Sequence, residues 1–132
     1  MRISTMTRRA VLPLLALALV IDKSGSMSGE PIKLAQEAAG RTAELLREQD
    51  IIGVLAFDSA PWWVVEARKL DDKESVLRDI SSISADGGTD IYAALSETFR
   101  VWKDLDAQRK HIILLTDGQS GAAGSYEALA AQ

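Results

Sequence analysis

The stretch Ala16–Ile21 reads ALALVI, with Leu17, Leu19 and Ile21 at one parity and Ala16, Ala18 and Val20 at the other. Successive side chains of an extended strand point to opposite faces, so both faces of this segment are apolar, as in a parallel strand covered on two sides. Small residues on one face let a helix approach closely. From Pro31 to Glu48 the period changes. Ile32, Ala35, Ala38, Ala39, Thr42, Leu45 and Leu46 recur at three- and four-residue spacing, and Pro31 suits a first helical turn, which predicts an amphipathic helix. Asp50 introduces IIGVLAF, Ile51–Phe57, an apolar run of buried-strand length that ends at Asp58-Ser59. After Pro61, WWVVEARKL predicts a short strand at a sheet edge, because a proline and charged flanks fit poorly in a sheet centre.

Asp71 or Asp72 can cap a second helix whose apolar side is Val76, Leu77, Ile80 and Ile83. SADGGTD is a loop. A third helix, from about Asp90 to Leu105, repeats Ile91, Ala94, Leu95, Phe99, Trp102 and Leu105, and its start lies next to Thr89. HIILLT, His111–Thr116, is the last buried strand, and DGQSG ends it much as DKSGSMSG ends the first. No repeat or linker interrupts residues 1–132, so one domain is expected, with residues 1–9 as a flexible N-terminal segment. The alternation of strand and helix predicts an α/β fold: a doubly wound, mostly parallel sheet with helices on both faces. In such sheets ligands bind outside the carboxyl ends of the strands, where Asp22 and Asp117 fall.

Composition narrows the chemistry. A hydrophobic fraction of 47% with 26% charged residues describes a folded, soluble domain, and 132 residues suffice for one core. The net charge of -4 arises from 15 basic and 19 acidic residues mixed along the chain, without the basic stripe that phosphate neutralisation needs, so nucleic acid is not an expected partner. The absence of cysteine removes thiolate zinc sites and thiol nucleophiles and leaves hard, oxygen-based metal chemistry.

The N-terminus admits two readings. Arg2, Arg8 and Arg9 precede the apolar stretch Ala10–Ile21, imitating a secretory signal, and Arg8-Arg9 hints at twin-arginine export. The stretch is too short to span a bilayer, and its only small-x-small cleavage site, Ala16-Leu17-Ala18, lies inside the apolar run. The strand reading is preferred, because the site described next needs Asp22 at a strand end. The default location is then cytoplasmic, or membrane-associated within a larger membrane protein.

Three separated pieces, Asp22-Lys23-Ser24-Gly25-Ser26, Thr89 in GGTD, and Asp117 in TDG, match the metal-ion-dependent adhesion site of the von Willebrand factor type A domain, which this chain resembles from roughly Pro13 onward. The resemblance implies that Ser24 and Ser26 bind a cation directly, that Thr89 binds directly or through water, and that Asp22 and Asp117 act mostly through water. Magnesium takes six oxygens at about 2.0–2.1 Å and sheds water reluctantly, so short hydroxyls with water-bridged carboxylates suit Mg²⁺ or Mn²⁺ better than Ca²⁺. Two carboxylates balance its charge, and neutral direct ligands leave it electrophilic toward an anionic oxygen. A partner's Glu or Asp is the expected sixth ligand. Gly25, Gly87 and Gly88 are expected to let the loops close on the ion through positive φ.

Taken singly, each piece has an ordinary structural reading. Ser24, Ser26 and Ser28 can end a strand and cap a helix, Asp117 can be a turn aspartate, and Thr89 or Asp90 can cap the third helix. Trp62, Trp63 and Trp102 read as core or edge packing, and His111 as a strand-start residue. A calcium hand starting at Asp22 would need glycine at Met27 and glutamate at Lys33, and the phosphate loop and hydrolase elbow are also missing. The function expected is a noncatalytic, metal-dependent protein-binding module. The alternatives are metal-assisted phosphoester hydrolysis or phosphoryl transfer, and a chelatase-like assembly subunit working with an ATPase. Domains of the family usually continue with two more strand and helix units, whereas this sequence stops at YEALAAQ. The resemblance therefore implies a partial domain lacking its last strands, with HIILLT as an edge open to self-association.

Overall fold

The computed structural model of the protein describes residues 12–117. Its sheet contains β1 (Leu15–Asp22), β2 (Ile51–Phe57), β3 (Pro61–Lys69) and β4 (Arg109–Leu115), in the order β3-β2-β1-β4. β1 pairs in parallel with β2 and β4 on its two sides, while β3 runs antiparallel to β2 at an edge. The helices are α1 (Glu30–Leu45), α2 (Lys73–Ser81) and α3 (Ile91–Trp102), and a 3₁₀ turn, Gly25–Met27, follows β1. The fold is thus the expected doubly wound α/β arrangement, with a mostly parallel sheet.

The two parities of ALALVI separate as their side chains require. Leu17, Leu19 and Ile21 enter one core with Ile32, Ala35 and Ala39 of α1 and Val76 and Ile80 of α2. Val20, Ala16 and Ala18 face α3 on the other side, with Ile91, Ala94 and Trp102. The small residues there make a slot for an indole. Trp102 is only 2% exposed, donates from Nε1 to the Ala16 carbonyl at 3.0 Å, and stacks on Trp63 with ring centroids 5.8 Å apart. Gly53 forms the slot floor, since a Cβ at that position would lie 2.5 Å from Trp102 Cη2. The tryptophan packing expected from sequence holds for Trp63 and Trp102, whereas Trp62 is 44% exposed.

The element ends differ from expectation by a few residues. α1 stops at Leu45 rather than Glu48, because Leu46 turns extended and inward and Asp50 Oδ2 accepts from the Arg47 N–H at 2.9 Å, closing a turn before β2. Leu45, placed on the apolar side by periodicity, is therefore 85% exposed, and Ala43 takes a buried position instead. α3 ends at Trp102, yet Leu105 still packs against the Trp102 cluster. Asp72 caps α2 by accepting from the Ser75 N–H at 3.1 Å. His111 is exposed on β4, which is an outer strand among the described residues. No helix among the described residues is long and apolar enough to cross a membrane. The expected flexible segment 1–9 and the closing stretch YEALAAQ lie outside the described residues.

Two measurements check this packing. Gly53→Ala drives a methyl into the indole of Trp102 and is expected to destabilise the fold by about 1–3 kcal/mol in urea unfolding. The second concerns Glu97, which accepts from Arg100 and from Trp63 Nε1. The hydrogen bonds from Arg100 and then Trp63 outweigh burial and hold its carboxyl down at about 2 rather than 4.5. A depressed value stabilises the fold above the unfolded pKa, and that stabilisation is lost as pH falls from about 4.5 toward 2. Glu97→Gln should flatten the pH dependence of stability in this window.

Candidate metal centre

The parallel register fixes what surrounds the end of β1. Asp22 lies opposite Phe57 of β2, and Ile21 opposite Leu115 of β4, so the next residue of that chain, Thr116, reaches Asp22. The Asp22 residue is fully buried. Its Oδ1 accepts from the Ser24 N–H at 2.8 Å, and its Oδ2 accepts from the Thr116 hydroxyl at 2.6 Å. The first bond closes the tight turn that an aspartate makes with the backbone two residues on. The second ties the ends of β1 and β4 together. Both donors are neutral, and each carboxylate oxygen retains a further lone pair.

Ser24 is buried, Ser26 is exposed, and their hydroxyl oxygens lie 3.1 Å apart. Neither caps a helix: the N-cap of α1 is Gly29, without a side-chain bond, and Ser24 makes no side-chain cap to the 3₁₀ turn. The capping explanation of these serines therefore fails. Adjacent oxygens around an octahedral magnesium lie about 2.8–3.0 Å apart, as follows from its 2.0–2.1 Å bonds. The serine pair is close to that spacing. Together with two carboxylates and a threonine, the donor set fits a hard cation. No group of three His, Cys, Asp or Glu side chains suited to a metal occurs among the described residues, so any site here depends on hydroxyls.

The loop before α3 is laid against this turn by backbone bonds. The Gly25 N–H donates to the Gly87 carbonyl at 2.8 Å, the Asp86 N–H to the Lys23 carbonyl at 2.6 Å, and the Asp90 N–H to the Asp58 carbonyl at 2.8 Å. Asp90 takes the capping role by accepting from the Ala93 N–H at 3.0 Å, leaving Thr89 half-buried beside it. Of the three glycines expected at positive φ, only Gly87 adopts it, at +88°; Gly25 and Gly88 do not. Asp117 is exposed and directly follows Thr116. Asp22, Ser24 and Ser26 thus share direct contacts, while Thr89 and Asp117 stand on segments bonded to the same turn.

The family profile of the von Willebrand factor type A domain matches residues 17–119. The chain belongs to that family. Among relatives of this von Willebrand factor type A domain, the uncharacterized protein sll0103 of Synechocystis is 35% identical over 107 residues, covering 80% of this chain and 26% of the relative. The chain thus spans about a quarter of that protein's length. The solved von Willebrand factor type A structure from Catenulispora acidiphila superposes with a TM-score of 0.76 at 23% identity, covering 90% of this chain and 30% of that one. The corresponding domain of the type V pili tip protein Mfa5 from Porphyromonas gingivalis gives 0.72 at 23% identity, covering 83% and 39%. These two likenesses speak for the fold. Domains of this family typically serve as adhesion or protein-interaction modules, and generally not as enzymes.

Sequence reasoning passed over two features of the site. Thr116 was read only as the last residue of a strand, although parallel pairing beside β1 places its hydroxyl against Asp22. The sequence patterns assign Lys23 no role and mark Asp58 only as the end of a strand run. The two residues form an ion pair at 3.1 Å, with the ammonium 4.5 Å from the ring centre of Trp62. Burial raises the Asp58 carboxyl, but hydrogen bonds from the Ala60 N–H and Lys23 outweigh it and leave the group below its ordinary value. Thr116→Val keeps the shape of the side chain and leaves Asp22 Oδ2 without this donor. Equilibrium unfolding in chelator should show a loss of about 1–3 kcal/mol, because a buried carboxylate oxygen is left unsatisfied. Unchanged stability would deny that bond a structural role.

Proposed function

We propose that this von Willebrand factor type A domain is a noncatalytic, metal-dependent protein-binding module in which Asp22, Ser24, Ser26, Thr89 and Asp117 hold Mg²⁺ or Mn²⁺. The observation that carries this reading is the pair of serine hydroxyls, 3.1 Å apart beside a fully buried carboxylate and tied to no helix cap. Ser24 and Ser26 are direct ligands, and Thr89 is a third hydroxyl. Asp22 and Asp117 supply the balancing charge, mostly through water. Asp22 suits an indirect role because each of its oxygens already accepts one hydrogen bond and has a lone pair left for a bound water.

The bound cation would supply an electrophilic coordination position for an anionic oxygen. A partner presenting Glu or Asp is the matching ligand. The chain's contribution is to hold neutral hydroxyls in the direct positions, so that the ion's charge is left for the incoming carboxylate.

Calorimetric titration of the full chain with Mg²⁺ and Mn²⁺ tests this reading. One ion per chain is expected, with affinity weakened by about tenfold or more in Ser26→Ala and Asp22→Ala variants that keep their fold by circular dichroism. A peptide containing a single glutamate should bind only with the metal present, and its Gln counterpart should not bind. Absence of metal uptake by folded protein would overturn the reading.

A further inference from the structure

We propose that Lys23 and Asp58 form a positioning clamp that seats the Thr89 loop against the Ser24–Ser26 turn and so sets the affinity of the cation site; this rests on the metal-binding reading above. Residues 86, 87 and 90 are the backbone points at which that loop is held, and Thr89 lies between the last two. Two of these bonds come from the turn itself, at Lys23 and Gly25, and the third from the Asp58 carbonyl. Lys23 and Asp58 therefore hold both flanks of the loop through their main chains, and their side chains join across the gap.

The side chain of Asp58 is fixed at both oxygens: Oδ2 lies 3.1 Å from Lys23 Nζ, and Oδ1 accepts from the Ala60 N–H at 3.0 Å. Gly87 rests directly on it. A Cβ at position 87 would stand 2.8 Å from Asp58 Oδ2 and 3.1 Å from its Cβ and Cγ, and the φ of +88° also favours glycine. The orientation of Asp58 thus determines where Gly87, and with it Thr89, can lie. Lys23 is 8% exposed and completes the clamp. Its N–H donates to the Phe57 carbonyl at 2.8 Å, and its ammonium lies over the Trp62 ring while pairing with Asp58. The residue next to Asp22 consequently carries a positive charge that is already neutralised by a carboxylate from another strand end.

The sign of one substitution separates positioning from simple charge repulsion. Lys23→Met removes a cation from the neighbourhood of a bound metal, which by electrostatics alone would tighten Mg²⁺ binding. The clamp requires the opposite. In the full chain, Lys23→Met and Asp58→Ala are expected to weaken Mg²⁺ affinity by about tenfold, and Lys23→Arg, which retains the ion pair, to restore it. Hydrogen exchange of the metal-free chain gives an independent readout: the Asp86 and Asp90 amides should exchange faster in Lys23→Met and Asp58→Ala, and at the wild-type rate in Lys23→Arg. Partial exposure of Asp58 lets its carboxylate be hydrated once Lys23 is gone, so Lys23→Met remains informative where Asp58→Ala fails to fold. A wild-type chain that takes up no Mg²⁺ overturns the reading of the site and this proposal with it. Wild-type binding accompanied by equal or tighter binding in Lys23→Met, with unchanged exchange, overturns the clamp alone.

Discussion

Burial of the Asp22 carboxylate at the end of the central strand is the constraint that organises this face of the protein. β1 is paired on both edges and covered on both faces, so a charged group at its end cannot turn to water and must be satisfied in place. The Ser24 N–H and the Thr116 hydroxyl provide this, and each bond has a wider consequence. The first bends the chain into the turn that presents Ser24 and Ser26. The second joins the end of β4 to that turn and places Asp117 next to it.

Packing far from the turn supports the same arrangement. The small face of β1 and Gly53 of β2 admit the indole of Trp102, which anchors the C-terminal end of α3. Ile91 and Ala94 hold its N-terminal end against Val20, Leu55 and Phe57. With α3 fixed at both ends and Asp90 capping it, the loop carrying Thr89 has little choice of position. A loop remote in sequence is therefore laid against the turn that follows β1, at the end of the sheet where doubly wound folds place their ligands.

Much of this was legible because it depends on local periodicity. The alternation of ALALVI identified a buried strand and both of its faces, Pro61 and the charged flanks identified an edge strand, and Asp72 is one of the two aspartates named as a cap. The outward turn of Leu45 was not legible, since the end of α1 is set by Asp50 closing on Arg47 and not by the helical repeat. The Thr116 bond to Asp22 and the Lys23–Asp58 pair depend on strand register and on contacts across 94 and 35 residues, which no local pattern encodes. For the candidate site, the three motifs gave the residue types and their order. They did not distinguish Asp90 from Thr89 as the cap of α3, nor show the serine hydroxyls in mutual contact.

Membership of the von Willebrand factor type A family agrees with an adhesion or protein-interaction module, and parallel pairing brings the ends of β1 and β4 to one edge of the sheet, where the cation is proposed to bind. The most direct measurement is amide chemical-shift mapping of the folded chain during Mg²⁺ addition. The signals of Ser24, Ser26, Thr89 and Asp117 should move together along one saturable curve while those of α2 stay still. Independent drifts spread over acidic surface residues, or no movement at these four, would contradict a shared site.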